Sequence, residues 1–107
     1  MDEEVLAKVR RLLGAVGKEY RLEKAILFGS RARGDHLKHS DVDLLLISDD
    51  FEGIAFPDRP SKLYRYWEGG LPLEMLCYTV SEFEKKRRMI GLVRDAVREG
   101  ISLINAR

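Results

Sequence analysis

One cysteine, three prolines and a formal net charge of +1 are what this 107-residue sequence has little of. It also lacks any apolar run near the ~20 residues that cross a bilayer. The lone Cys77 excludes an internal disulfide framework and fits a reducing compartment. The near-neutral charge removes a global argument for nucleic-acid or anionic-membrane binding and leaves only local patches. The acidic, amphipathic opening is unlike a secretory leader, so a soluble cytoplasmic protein is expected. No repeat, low-complexity segment or linker divides the chain, so one domain, 1–107, is expected. With 45% hydrophobic and 35% charged residues the balance is that of a globular protein. A chain this size buries roughly 65% of its unfolded surface, enough for a core without disulfides or a structural metal.

What is present reads as alternating helices and strands. Val5, Leu6, Val9, Leu12, Leu13 and Val16 recur at three- and four-residue spacing and predict a helix over 2–20 with one apolar stripe. Asp2, Glu3 and Glu4 suit its positive end, and Gly14 and Gly17 weaken its last turns. Residues 24–28 (KAILF) predict a buried strand. Ser30 is then placed to cap a short turn over 31–33, ended by Gly34. Residues 41–47 predict a second strand, central and covered on both faces, because its leucines do not alternate with polar residues. A helix is expected over 61–68 and a third strand over 73–79. Ser81, with capping-box spacing to Glu84, opens a last helix that carries Phe83, Ile90, Val93 and Val97 to about Glu99. Residues 101–104 can form a short edge strand.

The chemistry concentrates in residues 29–47, GSRARGDHLKHSDVDLLLI. A Gly-Ser turn follows one apolar strand, and two aspartates enter the next. If the two strands run antiparallel, turn and acids meet at one end. Asp41 and Asp43 share a strand face, with α-carbons about 6.6 Å apart. Their carboxylates can converge on one ion, or on two ions about 3.5–4 Å apart. Roughly 25 residues separate the second strand from the third, enough for a parallel crossover. That pairing would bring Glu74 beside the aspartates, completing a hard oxygen site suited to Mg²⁺. A glycine turn lets backbone approach phosphate, and Arg31 or Arg33 can add a charge-assisted contact. Acids at the amino ends of strands argue against a dinucleotide-binding Rossmann site, where ligands sit beyond the carboxyl ends.

Other residues carry weaker signals. An isolated Asp-x-Asp is ordinarily solvated surface, but two acids entering an apolar central strand are costly unless they are ligated or open to a cleft. Glu74 alternates with apolar neighbours, as on an exposed strand face. Lys38, His36 and His39 flank the acids, although loop histidines are usually solvated. Cys77 reads as core filling and the run 85–88 (KKRR) as a solvated helix face. Tyr64, Tyr66 and Trp67 read equally as a core cluster or as a partner surface.

The pattern Gly29-Ser30, ten residues, then Asp41-Val42-Asp43 resembles the signature of the DNA polymerase beta-like nucleotidyltransferase superfamily. The short chain is similar to its minimal nucleotidyltransferases. The resemblance implies an α/β (α+β) fold with a mixed three- to four-stranded sheet and helices packed mainly on one face. It further implies Mg²⁺, as two ions, and ATP as substrate. Gly29, Ser30 and Ser40 would then lie at the nucleotide with Arg31 and Arg33. Asp41 and Asp43 would be catalytic metal ligands, with Glu74 standing where many members have aspartate. Minimal members commonly pair with a helical HEPN protein in toxin–antitoxin modules and transfer AMP to a toxin tyrosine. By resemblance this chain is the antitoxin of such a module, with no membrane or nucleic-acid partner expected. Two alternatives stay open: an antitoxin subunit that binds nucleotide and acts by occlusion, and a transferase acting on a small molecule or RNA.

Overall fold

The apolar stripe of the opening segment forms helix α1 (Glu3–Val16), which buries Val5, Val9, Leu12, Leu13 and Val16 on one face. Burying each such side chain stabilises the fold by roughly 1.5–3 kcal/mol relative to exposure. The computed structural model describes residues 3–34 and 40–106. α1 stops before the expected 2–20 limit: the Gly17 amide closes on the Leu13 carbonyl at 2.8 Å, and the chain turns to bring Leu22 into the core.

Four strands follow the expected positions closely: β1 (Lys24–Phe28), β2 (Val42–Ile47), β3 (Leu73–Tyr78) and β4 (Ile101–Asn105). They form one mixed sheet in the order β3-β2-β1-β4. β2 runs antiparallel to β1 and parallel to β3, and β4 closes the β1 edge antiparallel. The short helix α2 (Ser30–Arg33) joins β1 to the loop before β2. Between β2 and β3 lie two single 3₁₀ turns (Asp49–Phe51 and Phe56–Asp58) and α3 (Arg59–Leu63). α3 passes into a further 3₁₀ turn, Tyr64–Tyr66, so the helix expected at 61–68 starts two residues earlier and tightens before its end. Pro60 fits its first turn, where no amide donor is required.

Alternation along β2 divides the core. Val42, Leu44 and Leu46 join the larger apolar cluster with α1, Phe51 and Leu63. Leu45 and Ile47 join a smaller cluster with Phe83, Val93 and Ala96 on the other face. That second cover comes from α4 (Val80–Lys86) and α5 (Leu92–Glu99). The single helix expected over 81–99 is therefore two helices. Residues 87–91 separate them, and α5 starts from Gly91 at φ 155°, a conformation that side-chain-bearing residues rarely adopt. Ile90, expected on the buried face, is 91% exposed.

The start of α4 also differs from expectation. Thr79, not Ser81, caps it: the Glu82 amide donates to Thr79 Oγ1, and the Thr79 amide donates to Glu82 Oε1. The choice is made by Arg59, whose side chain is 5% exposed. Its Nε donates to the Ile54 carbonyl at 2.9 Å, Nη1 to the Cys77 carbonyl at 3.0 Å, and both Nη atoms fork onto the Glu82 carboxylate at 2.6 and 3.2 Å. This pair holds the Glu82 carboxyl below its usual range, through the Arg59 hydrogen bond first.

Arg59→Ala should leave the Ile54 and Cys77 carbonyls without this donor and the Glu82 carboxylate without its cationic partner, and cost about 2–4 kcal/mol in urea unfolding. Arg59→Lys should recover little of that, because an ammonium cannot reproduce the fork. With the folded Glu82 pKa lowered, the clamp's contribution is complete above the unfolded glutamate value of about 4.3. It is lost as pH falls through the lower folded value. An Arg59→Ala protein as stable as wild type at pH 7 would contradict this account.

Candidate functional site

The sheet pairing builds the site. Phe28 is opposite Asp43 in the antiparallel pair, and Asp43 is level with Glu74 in the parallel pair. One row across three strands therefore carries the end of β1, the start of β2 and the start of β3. Gly29 follows directly at φ 78°, ψ −162°. Glycine is needed there twice over: its φ is disfavoured for other residues, and a Cβ would run into Asp43 Oδ2. The close approach of turn and carboxylate depends on that missing side chain.

Asp43 is half-buried on an otherwise apolar strand. Burial raises its carboxyl above the usual range, the Glu74 and Asp41 charges add to that, and the Arg33 charge opposes them. Asp41 lies one residue before β2 and is exposed, as is Glu74. A cavity of about 310 Å³ opens here. Gly29, Arg33, Asp43 and Glu74 line one side, and Asp95 and Glu99 of α5 line the other. Sequence reasoning missed the last two. The available signal was their four-residue spacing on a helix whose intervening Ala96 is buried.

The remaining candidates separate. Arg33 lines the cavity, whereas Arg31 is only 3% exposed and donates from Nε to the Ser40 carbonyl at 3.1 Å. Arg31 thus ties α2 to the entry of β2, and Ser40 contributes its backbone to that tie. Ser30 is the first residue of α2, and the cap position belongs to Gly29, with no side-chain capping bond. The glycine stop at Gly34 is as expected, in the left-handed conformation. His36, Lys38 and His39 lie outside the described residues. Cys77 is buried, and burial pushes its thiol up to about 12, so it is core filling. Tyr66 and Trp67 pack half-buried against the larger cluster, with the Trp67 indole donating to the Leu71 carbonyl. Tyr64 is 45% exposed.

The donor set fits a hard divalent cation. Four carboxylates face one guanidinium around the cavity, and an acid whose charge is disfavoured by burial and like-charged neighbours gains most from a cation. Among the described residues no three such side chains gather closely enough to enclose an ion unaided. Mg²⁺ is usually held by one or two carboxylates plus water and substrate phosphates, so it would need only a pair of these acids.

Known proteins resemble this chain in sequence and fold. Residues 9–103 match the family described as the nucleotidyltransferase domain. A "putative protein adenylyltransferase" of Methanocaldococcus jannaschii is 42% identical over 57 residues, which cover 50% of this chain and 55% of that protein. The matched stretch thus spans about half the length of that relative. The crystal structure of a "putative nucleotidyltransferase" from Sulfolobus solfataricus superposes with a TM-score of 0.59 at 23% identity, covering 95% of this chain and 86% of the other. A structure described as a toxin–antitoxin with AMP-PNP also gives 0.59, at 22% identity, over 92% and 72% of the two chains. At these identities the two structural likenesses establish the fold.

Gly29→Ala should cost about 1–3 kcal/mol from the backbone alone and displace the Asp43 carboxylate, as read by denaturation and a crystal structure of the variant. Asp43 gives a pH-dependent outcome. Its folded pKa is raised, so its charge costs nothing below the unfolded value, about 3.9. The cost grows as pH rises through the folded value. Asp43→Asn should therefore unfold at higher urea than wild type at pH 7 and at the same urea near pH 3. Equal midpoints at pH 7 would contradict the burial argument.

Proposed function

The chain belongs to the nucleotidyltransferase domain family, and on that premise we propose that it moves AMP from ATP to a hydroxyl of a partner protein. The observation that carries this reading is the Phe28–Asp43–Glu74 row, which sets a glycine turn, a cationic Arg33 and two carboxylates around one cavity. Protein as the acceptor class is supported by the name of the Methanocaldococcus jannaschii relative. The fuller form of the proposal makes the acceptor a tyrosine of a HEPN-type toxin and this chain its antitoxin. That form draws on the toxin–antitoxin neighbour and on the family resemblance of the signature.

The reaction joins the acceptor oxygen to the α-phosphorus and breaks the bond to the pyrophosphate oxygen; the hydroxyl proton leaves to a carboxylate. The Gly29-Ser30 turn offers backbone to the phosphates without a Cβ in the way. Arg33 stabilises phosphate charge by a charge-assisted contact. Asp41, Asp43 and Glu74 would hold Mg²⁺, which offsets the charge that builds on the phosphates and orients the triphosphate. One of these carboxylates would also accept the hydroxyl proton.

Incubation with α-labelled ATP, Mg²⁺ and the protein that co-purifies with this chain should label that protein on a hydroxyl side chain. Asp43→Asn should lower the labelling rate by about 10²-fold or more, and EDTA should abolish it. Mg²⁺ with ATP should raise the melting temperature of wild type and leave that of Asp43→Asn nearly unchanged. Equal labelling by wild type and Asp43→Asn would sink the proposal.

A further inference from the structure

Between α4 and α5 the protein exposes aliphatic side chains that its own fold does not cover. Met89 is 57% exposed, Ile90 91% and Leu92 55%. They are neighbours in space as well as in sequence, bordering two adjoining depressions of about 440 and 230 Å³ that share Phe56, Tyr78, Lys86 and Met89. The floor is firm: Phe56 stacks on Tyr78 with ring centroids 5.0 Å apart. Contiguous exposed apolar surface of this kind marks an interaction site, unlike apolar residues scattered singly.

The rim fixes the sign of what lies there. Lys85 and Lys86 are exposed and make no ion pair among the described residues. Glu82, the acid on this wall, is already engaged by Arg59 and the Thr79 amide. The groove therefore presents aliphatic surface with positive charge along one edge. Its two aromatic rings stack on each other and are not splayed as platforms for bases, which favours a protein segment over single-stranded nucleic acid.

The groove also adjoins the Asp43 cavity, because Leu92 borders both. Leu92 starts α5, the helix that carries Asp95 and Glu99 into the cavity. A macromolecule with a hydroxyl at Asp43 would pass over this end of α5 and onto Met89 and Ile90. We propose that the groove formed by Phe56, Tyr78, Met89 and Ile90 docks the acceptor protein through an apolar segment flanked by carboxylates. The proposal rests on the preceding reading that the acceptor is a protein. It assigns acceptor recognition to the α4–α5 junction, outside the residues that handle the nucleotide.

The test uses fluorescence anisotropy with two synthetic helical peptides that share one Leu/Ile/Phe stripe, one flanked by glutamates and the other by lysines. The glutamate-flanked peptide should bind wild type more tightly. Ile90→Glu should weaken it at least tenfold, and Lys85→Glu with Lys86→Glu should reverse the charge preference. Ile90 is almost fully exposed, so the variant should melt as wild type does and bind Mg²⁺-ATP unchanged by calorimetry. With the co-purifying protein as acceptor, Ile90→Glu should raise KM about tenfold at unchanged kcat. Absence of binding at millimolar peptide, equal affinity for both peptides, or an Ile90→Glu protein that binds as wild type does would overturn the proposal. So would sedimentation showing a wild-type dimer that Ile90→Glu dissolves, since a second copy would then be the occupant. A wild-type protein that binds peptide but neither binds nor transfers nucleotide would remove the transfer reading and leave the docking result standing.

Discussion

A carboxylate on the central strand of a sheet, with a second carboxylate level with it on the next strand, is the constraint around which the rest of the protein is arranged. Asp43 cannot retreat into the core, because its charge is disfavoured there. Alternation puts it on the face opposite the buried Val42 and Leu44, the face that Phe83 of α4 and Val93 and Ala96 of α5 cover farther along the strand. The conflict is resolved at the one end of β2 where the cover is incomplete, against a glycine turn and a cavity edged by α5. The neighbouring groups follow from it. Gly29 has no side chain because Asp43 occupies that space. Arg33 supplies the positive charge that partly relieves the acid. The acids on α5 extend the same negative field.

A second polar knot holds the opposite end of the molecule. Arg59 links the segment after β2, the end of β3 and the first turn of α4 through four hydrogen bonds. The two ends of the β2–β3 pair thus differ. At the carboxyl end, the Arg59–Glu82 pair is satisfied within the chain. At the amino end, among the described residues, four carboxylates and one guanidinium line the cavity. That asymmetry separates scaffold from site, and it turns the site toward cationic and phosphate chemistry.

Much of this was legible in the chain. The five-residue run KAILF became β1 with the expected limits, and the leucines of β2 are buried on both faces as their lack of alternation implied. The crossover length and the position of Glu74 were enough to anticipate its level with Asp43. The misreadings share a cause. Thr79-x-x-Glu82 and Ser81-x-x-Glu84 have identical capping spacing, and only Arg59, twenty residues upstream, selects the first. The apolar spacing of Phe83, Ile90 and Val93 is compatible with one helix, but α4 ends at Lys86 and α5 starts afresh from Gly91, an interruption that periodicity does not register. Arg31 and Arg33 are equivalent as letters, yet one is buried against the Ser40 carbonyl and the other lines the cavity.

By itself the sequence determined the element order, the central strand, the Gly-Ser turn and the acids that enter β2, because spacing and burial preference are local properties. Tertiary structure alone decided which of two capping boxes is used, which arginine meets the cavity, that Asp95 and Glu99 form its far wall, and that Met89, Ile90 and Leu92 remain uncovered. Each of those depends on the relative position of elements distant in the chain, and no local pattern encodes that distance.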